Sequence, residues 1–290
     1  MIKVKILIPV YNDWQSISKL IDEVNGLSIS SEFEVSMIIV NDASNHDRQE
    51  EEKNLDNINS IKILNMKINQ GHTRCIATGL KYIYEKGDFD YVIPMDGDGE
   101  DRPEEINDFL NKIKDANERP IIGERIKRSE NLLFKICYQL HKFITLTFTG
   151  KNIKFGNFTC LSKKTVKKMI NEKATWNSFS GSLTKVEEDF LSIPSTRGNR
   201  YFGPSKMSFY NLVKHSLSII SVFRKTFLIR SALFIILYIL LIKTYASVIT
   251  AIPLIFLLIA VYSISNLALR ENMEEFDKAL SNINNIDKIK

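Results

Sequence analysis

Cysteine is scarce in this chain: three residues in 290, Cys75, Cys137 and Cys160, far apart and odd in number. Such a set excludes a disulfide framework and a cysteine-based metal site, and it fits a reducing compartment. Surplus charge is scarce too. The 39 Lys and Arg stand against 34 Asp and Glu, for a net charge of +5, and no long basic block occurs. Nucleic acid is therefore not the leading partner. A signal-peptide pattern is missing from Met1-Ile2-Lys3-Val4-Lys5-Ile6, whose apolar run is too short and reads as a first strand. Internal repeats and low-complexity linkers are missing as well. A chain of 290 residues has room for one sizeable domain and something smaller.

Long apolar runs, by contrast, fill the C-terminal third. Residues 231–242 are apolar apart from Ser231, Lys243-Thr244 interrupts, and 246–269 carry no charge. The second run is long enough to span a bilayer; the first needs its flank from Phe227 and a snorkelling Lys243. The simplest arrangement is a helical hairpin over 227–269 with a short turn near Lys243-Thr244. Arg224, Lys225 and Arg230 precede it and Arg270 follows, so the positive-inside rule puts both ends in the cytoplasm. The alternative, a buried helical pair in a soluble core, is disfavoured by the continuous apolar length.

The first 125 residues alternate strand and helix signals. Strands are predicted at 4–10, 35–40, 61–64, 91–95 and 120–123, and helices at 14–27, 73–84 and 104–116. This alternation predicts a mostly parallel sheet covered by helices, with ligands at the carboxyl ends of the strands. Polar loops fall at those ends: Tyr11-Asn12-Asp13, Asn41-Asp42, Asn69-Gln70-Gly71-His72, and Asp96 to Asp101. Two further amphipathic stretches, 132–148 and 209–223, either pack on the body or lie in a membrane interface, the second more readily because it leads into the hairpin. The charged, Asn-rich segment 271–290 reads as a short helix or frayed end.

Asp96-Gly97-Asp98-Gly99-Glu100-Asp101 places four carboxylates in six residues. Carboxylates this crowded repel one another unless a cation sits among them. Hard oxygen ligands on a strand-ending loop suit Mg2+ or Mn2+, which completes its shell with substrate phosphates. The plain alternative is a solvated acidic turn before a helix opening at Arg102-Pro103-Glu104-Glu105. His72, at a helix start, is as compatible with a structural as with a catalytic role.

With these loops in place the chain resembles the family-2 glycosyltransferases of the GT-A fold, closest to the membrane-anchored branch similar to dolichyl- or polyprenyl-phosphate sugar synthases. The motifs run in order: Ile8-Pro9-Val10-Tyr11-Asn12-Asp13, Val40-Asn41-Asp42-Ala43-Ser44, Asn69-Gln70-Gly71-His72, the Asp96–Asp98 pair, Gly156-Asn157-Phe158, and Arg200-Tyr201-Phe202-Gly203-Pro204-Ser205-Lys206. Singly most are weak; their order and common end in a membrane hairpin make the set specific. The resemblance implies a Rossmann-like, mostly parallel GT-A catalytic domain over 1–207. A juxtamembrane helix (208–226), a transmembrane hairpin (227–269) and a cytoplasmic tail (270–290) would follow.

It also implies roles. Asp98 is the first choice of direct metal ligand, Asp96 binds through water or orients the sugar, and Glu100 holds the outer shell. Arg197, Arg200 and Lys206 would neutralise the departing diphosphate, and Arg125 would meet an acceptor phosphate. Pro9, Tyr11, Asp13, Asp42, Asn69 and Gly71 would line the nucleotide pocket. The implied reaction is inverting, Mg2+- or Mn2+-dependent transfer from a UDP- or GDP-sugar to a polyprenyl or dolichyl phosphate, by a multi-pass membrane protein with its catalytic domain on the cytoplasmic face. Self-association into a homo-oligomer stays open. Two alternatives stand beside it: transfer to a hydroxyl of a lipid-linked glycan in cell-envelope polysaccharide synthesis, and an inactive membrane-tethered nucleotide-sugar binding protein. Two departures matter. Asn157 replaces an acid usual in the family, and Asn41 replaces the first acid of an Asp-Asp pair. A phosphomonoester acceptor, with its second pKa near ~6, needs no general base, whereas a sugar hydroxyl does, and Asp101 or Glu104 could serve it.

Overall fold

The chain opens with β1 (Ile2–Val10), a nine-residue strand that becomes buried on both faces as it runs inward, the mark of a central strand in a covered parallel sheet. In the computed structural model, which describes residues 1–46, 48, 54–127, 132–204 and 209–290, it is followed by α1 (Trp14–Asn25), β2 (Phe33–Asn41), β3 (Ser60–Met66), α2 (His72–Lys86), β4 (Tyr91–Pro94), α3 (Glu105–Ala116), β5 (Ile121–Lys127), α4 (Leu132–Thr149), β6 (Thr159–Ser162), α5 (Lys163–Ile170), α6 (Phe179–Val186), β7 (Leu191–Thr196), α7 (Phe209–Ser221), α8 (Arg224–Ile242), α9 (Val248–Ala268), α10 (Met273–Asp277) and β8 (Ile283–Lys288). The strands form one eight-stranded sheet in the order β7-β5-β6-β4-β1-β2-β3-β8. Strands β1 to β4 are mutually parallel. Strand β6 runs against both β4 and β5, and β7 runs with β5, so only β6 and β8 are reversed.

Amphipathic spacing fixes how the helices cover this sheet. Ile17, Leu20, Ile21 and Val24 of α1, and Ile106, Phe109, Leu110 and Ile113 of α3, are buried on one face with β1 and β2. Helix α2, with Cys75, Ile76, Leu80 and Ile83, packs on the other face with α5, α6 and the buried Trp176. The registers Val10↔Asn41 and Leu7↔Pro94 align the carboxyl ends of β1, β2 and β4, so their loops leave the sheet along one edge.

Helices α8 and α9 are long and apolar enough to cross a membrane, and their apolar side chains, among them Ile229, Leu233, Leu237, Ile255 and Phe256, point outward. They pack together as a hairpin: the Tyr238 hydroxyl donates to the Thr250 carbonyl at 3.0 Å, and a capping box at Ser247 starts α9. This outward apolar surface is the reverse of a buried helical pair.

Residues 271–290 contain the expected short helix but do not fray after it. They form α10 and β8, and β8 pairs antiparallel along β3 from Lys62↔Lys288 to Met66↔Ile283. The Asn65 amide donates to Asp287 at 2.8 Å, Lys81 to Asp277 at 2.9 Å, and Phe276 stacks on Trp176 with ring centroids 5.3 Å apart. The helical pair is therefore inserted before the last strand of the sheet, and a domain boundary at 207 leaves that strand out. An edge strand reading Ile-Asn-Asn-Ile-Asp-Lys shows little alternation, which is why its sequence resembles a loop.

Candidate active site

Interlocked loops build the strand-end edge. Asn12, at φ 52°, accepts from the Asn45 and His46 amides at 3.0 and 3.3 Å, and its own N–H donates to the Ser44 hydroxyl at 2.9 Å. That joins the loop after β1 to the loop after β2. Asp42 joins the second loop to the third: its carboxylate accepts from the Gln70 and Gly71 amides at 2.7 and 2.8 Å, and its carbonyl accepts from the Asn69 side chain at 3.1 Å. Gly71 sits at φ 91°, a conformation costly for any other residue. Asn41, in the place of a family acid, donates to Asn65 at 2.8 Å and accepts from the Ser44 amide at 3.0 Å. An amide can do both, whereas a carboxylate only accepts. Pro9 is buried in β1 and Tyr11 lies exposed at its end.

The acidic loop folds on itself. The Asp96 amide donates to buried Asp101 at 2.9 Å, and the Glu100 amide donates to Asp98 at 3.0 Å. Around it stand groups from four other segments. His72, opening α2, places Nε2 2.9 Å from Asp96, and the Asn157 amide also hydrogen-bonds Asp96. Arg125 of β5 lies 3.7 Å from Asp101. The segment after β7 docks directly: Arg197 pairs with Glu100, and Arg200 pairs with Asp98 and, at 3.1 Å, with Asp13. Backbone bonds seal the contact, from Gly198 N to the Glu100 carbonyl at 2.9 Å and from Tyr201 N to the Asp98 carbonyl at 2.8 Å. Two glycines permit this approach. A Cβ on Gly198 would lie 2.3 Å from the Gly99 oxygen, and one on Gly99 would lie 2.7 Å from the Tyr201 ring. The Tyr201 hydroxyl bonds Glu23, with Lys19 4.6 Å over the ring.

Electrostatics follow from the crowding. Burial alone raises Asp96, but His72, Arg125 and the Asn157 amide outweigh it and hold this carboxyl well below the usual range. Asp98 is pushed up to about 6 by burial and the Asp96 charge, against the Glu100 amide and Arg200. Asp101 is pushed up to about 7 by burial and Asp96, with Arg125 opposing. Burial lowers His72, yet Asp96 and then Asp101 and Asp98 carry it upward overall.

Carboxylates that resist ionising together fit a divalent cation, and the donors are hard oxygens. Among the described residues no group of three or more His, Cys, Asp or Glu side chains is arranged to hold a metal by itself. Asp98 and Glu100 each pair with an arginine and Asp96 with His72, so these hard-oxygen donors fit a divalent ion that would exchange with those partners.

The structure thus gathers Asp13, Asp96, Asp98, Glu100, Arg125, Arg197 and Arg200 into one linked cluster, with Pro9, Tyr11, Asp42, Asn69 and Gly71 on the loops beside it. Lys206 lies outside the described residues. Sequence reading passed over the His72 and Asn157 contacts to Asp96 and the burial of Asp101; the His72 position at the mouth of α2 and the Gly156-Asn157-Phe158 motif were the available signals.

The model of glycosyl transferase family 2 matches residues 5–175, over half of the 290-residue chain and the stretch that builds this edge. The chain belongs to glycosyl transferase family 2. A curated relative, the undecaprenyl-phosphate 4-deoxy-4-formamido-L-arabinose transferase of Proteus mirabilis (strain HI4320), is 24% identical over 219 residues, covering 73% of this chain. The aligned part spans 64% of that relative's length. Solved structures share the fold at low identity. Glucosyl-3-phosphoglycerate synthase from Mycobacterium tuberculosis, in complex with Mn2+, UDP and glucosyl-3-phosphoglycerate, gives a TM-score of 0.53 at 11% identity over 77% of this chain and 79% of that one. S. aureus TarS 1-349 in complex with UDP-GlcNAc gives 0.50 at 13% identity over 97% and 91%. The family's mostly parallel GT-A sheet is therefore the fold of this chain.

Proposed function

We propose that this family-2 member transfers a sugar, with inversion, from a UDP- or GDP-sugar to a membrane polyprenyl or dolichyl phosphate, in a reaction dependent on Mg2+ or Mn2+. The observation that carries the reading is the meeting of crowded carboxylates with Arg125, Arg197 and Arg200 at one strand-end edge. Asp96 and Asp98 would hold the ion, with Glu100 supporting its outer shell; bound there, it would supply Lewis-acid stabilisation of the leaving diphosphate. Arg197 and Arg200 present guanidinium forks from the docked segment and meet charge growing on that diphosphate. Lys206 is assigned the same role on resemblance alone. Asp42 keeps the nucleotide pocket in shape through the Gln70 and Gly71 amides, and Asp13 reaches ribose or base.

Arg125 and Asn157 form the acceptor side. Asn157 cannot act as a base. Both oxygens of Asp101 are committed, one to the Asp96 amide and one toward Arg125. A phosphomonoester, already largely ionised at neutral pH, needs no base, so this arrangement favours it over a glycan hydroxyl. The curated relative's name points the same way. Both ends of the hairpin lead back into the globular body, through α7 on one side and α10 with β8 on the other, which supports two spans with both ends on one face. Arg224, Lys225, Arg230 and Arg270 make that face cytoplasmic.

The test is a panel of nucleotide sugars with the full chain in vesicles containing polyprenyl phosphate. Chelator-sensitive release of nucleoside diphosphate, with a mild-acid-labile lipid product, is expected. An acid-stable lipid product would transfer the assignment to a hydroxyl acceptor. Tight donor binding without release would leave a binding protein.

A further inference from the structure

Helix α4 carries an apolar strip on its outer side. Leu140, Phe143 and Leu146, spaced i, i+3, i+6, are 55%, 66% and 47% exposed, while Ile144 and Phe148 turn inward onto Ile220, Phe227 and Ile264. Among the described residues nothing covers the strip, and the inward side of the same helix packs on the hairpin. Phe148 packs against Phe227 and Phe234 of α8 with ring centroids 5.4 and 6.3 Å apart. Arg230 of α8 donates to the last carbonyls of α4, at 2.8 Å to Thr147 and 3.3 Å to Leu146. This guanidinium caps the negative end of the α4 dipole. Gly150 leaves room for it, since a Cβ there would stand 3.0 Å from the Arg230 nitrogen.

That tie fixes depth. Arg230 is in the second turn of α8, roughly 9 Å along the helix from its start at 1.5 Å per residue. A charged side chain so placed belongs at headgroup level. The end of α4 shares that level, with exposed Arg224 and Lys225 just above it as partners for anionic headgroups.

Resting on the membrane reading above, we infer that α4 is a third membrane-contacting helix, lying in the headgroup–acyl boundary of the leaflet with Leu140, Phe143 and Leu146 in lipid. The consequence for the site is direct. Arg125 and exposed Ile126 stand a few residues before α4, and Asn157 a few residues after it, and both Arg125 and Asn157 act on Asp96. A helix laid in the leaflet therefore holds both acceptor-side residues at headgroup height, where a lipid phosphate reaches Arg125 with its chain still in the bilayer.

The experiment is nitroxide accessibility in the full chain, in vesicles of phosphatidylcholine and phosphatidylglycerol without donor or metal. Cys75 and Cys160 are buried; labels are placed at Leu140→Cys, Phe143→Cys and Leu146→Cys in a Cys137→Ser background, with Lys164→Cys, at an exposed position of α5, as the aqueous reference. Oxygen relaxing 140, 143 and 146 more than a nickel chelate does, with the reverse at 164, is the expected result. A water-like label at 143 overturns the inference, and so does one shielded from both reagents, which would mean protein, such as a second copy of the chain, covers the strip. The readout is independent of transfer. Lipid-facing labels without transfer to polyprenyl phosphate refute only the acceptor assignment; transfer with an aqueous 143 refutes only the placement of α4.

Discussion

Both oxygens of Asp98 are engaged, one by the Glu100 amide and one by Arg200, yet burial and Asp96 still disfavour its charge. An aspartate kept ionised at this cost suits a group waiting for a cation rather than one that stabilises the fold. Asp98→Ala is therefore expected to abolish transfer and Mn2+-dependent nucleotide binding, while the melting temperature stays level or rises. Turnover and calorimetric nucleotide binding check it; wild-type turnover in the variant would refute the metal assignment. The same scale shows where residue-type reasoning stopped. The acidic loop was legible because four carboxylates in six residues stand out in any sequence. Asp42 was legible as a pocket residue through its motif, but not as the acceptor of two loop amides, since one aspartate after a strand gives no sign of that.

At the scale of elements, the central strands and their helices were plain from hydrophobic period, because burial on both faces leaves continuous apolar runs. Strands β6, β7 and β8 were not. Each is short, and two of them lie at a sheet edge, where one side meets solvent and polar residues are tolerated. Strand β7 matters most for the site, since it delivers Arg197 and Arg200 to the acidic loop. Strand β8 matters for stability. Ending the chain at residue 282 removes the β3 pairing and the Asp287 contact, and exposes an apolar strand edge. A loss of roughly 2–3 kcal/mol is expected, about 5–10 °C in melting temperature for a body of this size, with aggregation on size exclusion. A monodisperse product with unchanged melting would show that β8 is dispensable.

The whole molecule carries an unusual pH dependence in its metal-free form. Asp98 and Asp101 have folded pKa values raised to about 6 and about 7, above the unfolded range near ~3.9, so the folded state holds more protons than the unfolded one between those limits. Their effect is that stability declines as pH rises through that window. His72, also raised, contributes stability below its unfolded pKa of about 6.5 that fades as pH rises through its folded value. Asp96, depressed, contributes in the opposite sense, but its contribution is already complete above the unfolded carboxylate range and is lost only in acid. The melting temperature of chelator-treated protein should therefore fall from pH 5 to pH 8. Mn2+ with nucleoside diphosphate should raise it more at pH 8 than at pH 5. Differential scanning fluorimetry measures both, and a flat profile would count against the crowded-carboxylate picture.

Local composition by itself determined the alternating sheet, the apolar hairpin and the acidic strand-end loop, because each is written in a contiguous run of residue types. Only the tertiary structure decided that the last strand returns to the sheet after the hairpin. The same holds for Asp42 organising a loop instead of standing free, and for Arg197 and Arg200 closing onto carboxylates about a hundred positions away. Those outcomes depend on pairings between distant segments, and a strand edge or a guanidinium carries no mark of its partner until the fold brings the two within a hydrogen bond.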